Sequence, residues 1–162
     1  MSKIKGIELK NITNFRGHEG EDLIQGNVYY NGKKVGFYSQ DAWGGCDRLN
    51  IDYNLPTELK EEINNITDNY VGNELFKDID TLYGLTYTNH KPIGYEYLFM
   101  DLLQLMEHEK LYKKYSKLWG TNKIYIIYDN AWDIRIGGRK LREEDANKVY
   151  YEYNGLKDFI IE

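Results

Sequence analysis

A chain of 162 residues and 19.2 kDa with a single cysteine excludes an internal disulfide, and no apolar run approaches the roughly 18 residues of a membrane span. With no basic-plus-apolar leader at its N-terminus it reads as one cytoplasmic domain over residues 1–162, with no membrane partner. The formal charge of −5 argues against direct binding to a nucleic-acid backbone, which calls for a basic excess.

Residues 4–12 alternate Ile7 and Leu9 with polar neighbours and predict a first strand, followed by a loop from Thr13 to Asp22 with no period. Asn31-Gly32 lies between two runs of strand formers and suits the two positive-φ positions of a type I′ turn, so Ile24–Tyr30 and Val35–Ser39 are expected to form a hairpin. Ile24, Gly26, Val28 and Tyr30 share one face, and so do Val35, Phe37 and Ser39. Gly26 and Gly36, in mid-strand, mark a bulge or a close approach. Arg48 to Tyr53 completes a meander of about four antiparallel strands.

Leu55-Pro56-Thr57 opens a helix with Thr57 as N-cap and Leu59, Ile63, Ile66 and Tyr70 at helical spacing, ended by Gly72. Asn73–Asp80 is read as a short second helix and Thr81–Lys91 as extended or looped. From Pro92 a long helix carries Tyr95, Leu98, Phe99, Leu102, Leu105 and Met106 toward the sheet and stops near Leu118, before Gly120. Its outer face is assigned the Glu109–Lys113 ion pair and a solvated His108. Lys123–Tyr128 reads as a strand buried on both faces, Trp132–Ile136 as another strand, Arg142–Tyr153 as a helix and Phe159–Ile161 as a final strand or docked tail. The expected fold is therefore α+β: an N-terminal antiparallel meander packed against two or three helices, with further C-terminal strands and a helix.

Four groups of residues could carry function. His18, Glu19, Asp41 and Asp47 lie in two loops that meet if the first strand and the hairpin are neighbours, and a His with carboxylates there could hold a divalent cation for a hydrolase. Arg135, Arg139 and Arg142 flank Gly137-Gly138 and could hold a small anion or nucleotide, although the spacing is not that of a phosphate loop. Trp43, before two glycines, and Trp132, between two aspartates, are candidate partner contacts. Residues 55–92 carry seven acidic side chains against three lysines, and Glu61, Glu62, Asp68 and Asp78 are the candidates there for meeting a basic partner. No catalytic signature and no cofactor motif is read.

Phe15 to Gly20 (FRGHEG), then Asn31 to Val35 (NGKKV) and Asp41 to Gly45 (DAWGG), resemble small uncharacterised accessory proteins of bacteriophages and mobile elements of Gram-positive bacteria. The resemblance covers about the first third of the chain. It implies a phage accessory context, in which such proteins often inhibit host defence systems, and no reaction. The expectation is a non-enzymatic protein-binding module whose partner is a bacterial host protein, such as a nucleic acid-binding defence effector. The metal-dependent hydrolase and the anion or nucleotide binder stand as alternatives, and the oligomeric state is open.

Overall fold

The computed structural model describes residues 1–72, 75, 76, 78, 79 and 93–162. The fold is α+β. Strands β1 (Lys3–Ile4), β2 (Ile7–Arg16), β3 (Asp22–Tyr30), β4 (Lys33–Ser39), β5 (Arg48–Ile51) and β9 (Ile160–Ile161) form one sheet in the order β5-β4-β3-β2-β1-β9, antiparallel except where β9 runs parallel to β1. A second sheet, β7 (Ile134–Gly137), β6 (Ile124–Tyr128) and β8 (Val149–Tyr153), is antiparallel throughout. Two long helices complete the frame, α1 (Thr57–Asn69) and α2 (Tyr95–Trp119).

Asn31 and Gly32 take φ of 47° and 83°, the two positive values a type I′ turn requires, and they join β3 to β4 as expected. The strand expected over residues 4–12 is instead two strands, because Lys5 and Gly6 also have positive φ and turn β1 onto β2. Half of the segment expected as a loop from Thr13 to Asp22 is strand. Thr13, Asn14, Phe15 and Arg16 pair with Gln25, Ile24, Leu23 and Asp22, leaving only residues 17–21 to turn. Polar residues on the solvent side of a sheet leave no hydrophobic period to read.

The register of β4 holds a bulge that the alternation does not announce. Val28 faces Gly36 while Tyr29 faces Lys34, so Val35 is the extra residue. Parity flips there: Val35 and Tyr38 are buried while Phe37, expected beside Val35, faces solvent. Gly36 marks the close approach read from the sequence, since a Cβ on it would lie 2.3 Å from the Asn50 carbonyl oxygen.

Between the sheets runs α2, which contacts β1, β6 and α1. Its stripe of Leu98, Phe99, Leu102, Leu105 and Tyr112 is buried with Ile4, Ile7, Val28, Ile63, Ile124 and Ile126. Phe99 stacks on Tyr38 of β4 at 4.2 Å. Gly120 caps the helix in the left-handed region at the expected place. The first helix begins at Thr57 with Pro56 as N-cap, one residue from expectation, and ends at Tyr70, whose extended backbone stops it before Gly72. Of the short helix expected over Asn73–Asp80, residues 73, 74, 77 and 80 lie outside the described residues, as does all of Thr81–Lys91.

The C-terminal helix expected from Arg142 to Tyr153 is a 3-10 turn, Glu143–Asp145, followed by β8. Strand β6 is buried along its whole length and pairs on both edges, so the Val149-Tyr150-Tyr151-Glu152-Tyr153 run is drawn into the sheet against its helical spacing. His108, expected in solvent, is fully buried. Its Nε2 contacts the Tyr128 hydroxyl at 2.6 Å and the Gln104 amide nitrogen at 3.0 Å, and its Nδ1 lies 2.7 Å from the Tyr153 hydroxyl. Both ring nitrogens therefore meet hydrogen-bonding partners inside the core. Next to it, Glu109 does pair with Lys113 at 2.9 Å, but buried, and it also accepts from the Ser2 amide and hydroxyl. Burial opposes its charge, yet the hydrogen bonds from Ser2, the amino group of Met1 and Lys113 prevail and hold its carboxyl down to about 2.

Burial pushes the His108 imidazole down to about 3 from an ordinary value near 6.5. A depressed folded value means that the unfolded chain takes up the proton first. The contribution of neutral His108 is complete above about pH 6.5 and is lost as pH falls toward 3. His108→Gln removes that titration. In urea unfolding at pH 7 and pH 4.5, the wild type is expected to lose more stability between the two than the variant, by up to about 1.4 kcal/mol per pH unit.

Candidate functional site

The two loops predicted to meet at one end of the larger sheet do meet. The His18 amide donates to the Ala42 carbonyl at 2.7 Å, and the His18 ring stacks on Trp43 with centroids 4.0 Å apart and planes 25° from parallel. The indole is 74 % exposed. An aromatic this open is normally mobile, but here the chain around it is tied down. The Asp41 carboxylate accepts from the Gly45 amide at 2.7 Å and the Trp43 amide at 3.3 Å, closing the loop on itself. At its far end Asp47 is held from three directions: its carboxylate by the Tyr38 hydroxyl, its carbonyl by the Tyr95 hydroxyl at 2.6 Å, and its amide by the Glu96 carboxylate at 2.8 Å. Tyr95 and Glu96 are the first two residues of α2, so the loop hangs from the start of the central helix.

This use of the carboxylates decides what they can do chemically. Burial raises the affinity of the Asp47 carboxyl for its proton, with the Tyr38 hydrogen bond opposing and Glu96 and Asp41 reinforcing. Burial and the bond to Asp47 push the Tyr38 hydroxyl well above the ordinary phenol range. Glu19 is exposed on the other loop, where its amide donates to Glu21. His18, Glu19, Asp41 and Asp47 therefore share one end of the sheet without forming a ligand set. Among the described residues no three His, Cys, Asp or Glu side chains come together in a group able to hold a metal ion. Cys46 is free and exposed in the same loop.

Beside Trp43 lies a depression of about 280 Å³ on the outer face of the sheet. Its floor is a row of cross-strand partners, Gln25 on β3, Ser39 on β4 and Arg48 on β5, and its walls include Phe15, Asp41 and Trp43. Sequence reasoning passed over Phe15, Gln25, Ser39 and Arg48. Only the pairing register puts them on one face, and the bulge at Val35 resets that register after the hairpin.

Two of the three arginines predicted to hold an anion are paired within the chain. Arg135 donates to Asp129 at 2.6 Å and to buried Asp145, and Arg142 reaches Glu144 at 2.9 Å and Asp145 at 3.5 Å. Hydrogen bonds from Arg135 and Lys148 hold the Asp129 carboxyl down to about 2. Arg135, Lys140 and Arg142 do line an open depression of about 410 Å³, with Asp145 in it, while Arg139 is exposed away from it. Trp132 is 83 % exposed in a turn where the Asn130 side chain accepts from the amides of Trp132 and Asp133.

The chain matches no protein-family profile, no curated protein and no solved structure.

On the acidic segment, Glu58, Glu61, Glu62 and Asp68 all lie exposed on α1. At 3.6 residues per turn they fall within about 120° of its circumference. Lys60 points elsewhere and donates to the Tyr53 carbonyl. Glu62 accepts from the Tyr30 hydroxyl; among the described residues Glu58, Glu61 and Asp68 have no cation within 4.0 Å. Asp78 is exposed as well.

If Arg135 serves the fold, Arg135→Ala leaves the Asp145 carboxylate buried with only Arg142 beside it. It is expected to lower the urea midpoint, whereas Arg139→Ala leaves the midpoint unchanged.

Proposed function

We propose that this chain is a non-enzymatic protein-binding module that meets a basic partner surface with the outer face of α1. What supports the reading above all is that one-sided acidic stripe, with Glu58, Glu61 and Asp68 solvated and unpaired among the described residues. Helix electrostatics accounts for Glu58 in the first turn, where a negative charge meets the positive end of the dipole. It gives no reason for Asp68 in the last turn, where a carboxylate is unfavourable. A row of carboxylates along a helix presents regularly spaced negative charge, the feature a nucleic acid-binding surface is built to attract. Trp43 and Trp132 add exposed indoles of the kind that carry contact energy at interfaces.

The resemblance of the FRGHEG, NGKKV and DAWGG segments supplies the setting: a phage or mobile-element accessory protein in the cytoplasm of an infected bacterium, antagonising a nucleic acid-binding defence protein. No helix among the described residues is long and apolar enough to cross a membrane.

The test is a pull-down from lysate of a Gram-positive host, with wild type against Glu61→Lys, Asp68→Lys, Asp78→Lys combined. Glu62 is spared because Tyr30 depends on it. The expected result is a nucleic acid-binding protein retained at near-equal stoichiometry by wild type, released as salt rises and the Debye length shrinks below about 10 Å, and absent with the triple variant. Equal recovery by both would remove the acidic face from the function.

A further inference from the structure

A sheet face left uncovered by helices usually ends in charged side chains. This one, at the Trp43 end, instead combines rings with amides and a cation. We propose that the depression beside Trp43 is a binding site for a single nucleotide unit, its base lying against the Trp43 indole and its phosphate on Arg48. The inference does not depend on the acidic face of α1.

Three properties of the depression lead there. The first is a fixed aromatic wall: the indole is braced from behind by His18 at 4.0 Å and its loop is hydrogen-bonded at both ends, so stacking a planar ligand on it orders little that is not already ordered. Phe15 provides a second ring in the same depression. Base stacking on an aromatic side chain contributes about 1–3 kcal/mol and needs only a π-face.

The second is the unused hydrogen-bonding capacity of the floor. The Gln25 Nε2 donates to Thr13 at 3.2 Å and the Ser39 hydroxyl donates to the Gln40 carbonyl at 2.9 Å. One Gln25 N–H and the Ser39 hydroxyl proton are thereby committed, leaving a second Gln25 N–H as donor and the Gln25 Oε1 and Ser39 lone pairs as acceptors. A ligand edge that both donates and accepts suits such a floor. Adenine, cytosine, guanine and uracil all present such an edge, so the floor suits a nucleobase without selecting among them.

The third is the cation at the rim. The Arg48 side chain is 74 % exposed, and its contact with Asp41 is long, at 3.7 Å. A guanidinium has five N–H donors in a fork that fits phosphate oxygens, and one distant carboxylate leaves most of them available. In the depression at Arg135 the arginines already close on Asp129, Glu144 and Asp145. The chain's charge of −5 disfavours wrapping a long polyanion, but it does not bear on one phosphate met by one guanidinium.

Calorimetric titration of the full chain with adenosine, cytidine and uridine 5′-monophosphates, and with eight-residue oligo(dA), tests the site. The expected result is saturable binding of all three monophosphates, and loss of about tenfold or more in affinity in both Trp43→Ala and Arg48→Gln. Both residues are exposed, so the variants are expected to keep the wild-type circular dichroism and melting temperature. Gln25→Leu should weaken the binding of all three. If the oligonucleotide binds more tightly than AMP by tenfold or more, the natural ligand is a strand; equal affinities point to a free nucleotide. Absence of saturable heat with every probe would overturn the proposal, as would binding that survives both Trp43→Ala and Arg48→Gln.

Discussion

Tyr38 joins the two halves of this structure. Its ring lies in the core, stacked on Phe99 of the central helix, and its hydroxyl emerges to hold the Asp47 carboxylate at the end of the exposed Trp43 loop. A buried tyrosine must place its hydroxyl on a partner, because leaving it without one costs more than the hydrogen bond itself contributes. Here that partner belongs to a loop with little apolar surface of its own. The packing of β4 on α2 therefore also positions the loop, and Tyr95 and Glu96 add two more ties from the same helix.

The same helix carries the buried polar groups that join the smaller sheet to the rest. His108 spans Tyr128 of β6 and Tyr153 of β8, and Tyr153 stacks on Phe159 just before β9 enters the larger sheet. Each such group is expensive to bury alone and acceptable once bonded. They fix which strand faces which side of α2, which apolar contacts between Leu, Ile and Phe would leave less determined. Asp145 does the equivalent for the turn before β8, with Arg135 and Arg142 as its partners.

Much of this was legible in the sequence, for physical reasons that can be named. Asn31-Gly32 marked its hairpin because few other pairs tolerate two positive φ values, and Gly120 marked a helix end for the same reason. The long stripe from Leu98 to Leu105 marked α2. Legibility failed where tertiary pairing overrode local signal. Arg142–Tyr153 has helical composition but is claimed by β6, whose two edges both need a partner. His108 sits between two glutamates in sequence yet faces inward, since the acceptors and donors that make burial tolerable come from strands 20 and 45 residues away. The floor of the depression at Trp43 was illegible because a single-residue bulge decides which side chains share a face. The meeting of the His18 and Trp43 loops was foreseen from strand adjacency; their stacking, and the commitment of Asp41 and Asp47 to the loop itself, were not.

The dependence of the exposed loop on one core residue can be measured directly with Tyr38→Phe, which keeps the ring on Phe99 and removes only the hydroxyl. Amide hydrogen exchange, followed residue by residue, should speed up by about tenfold or more from Trp43 to Asp47 while β3 and the buried turns of α2 stay protected, as expected for opening of a local unit. Unchanged exchange in the loop, or loosening of the strands and the helix to the same degree, would contradict the claim that Tyr38 transmits the order of the core to that surface.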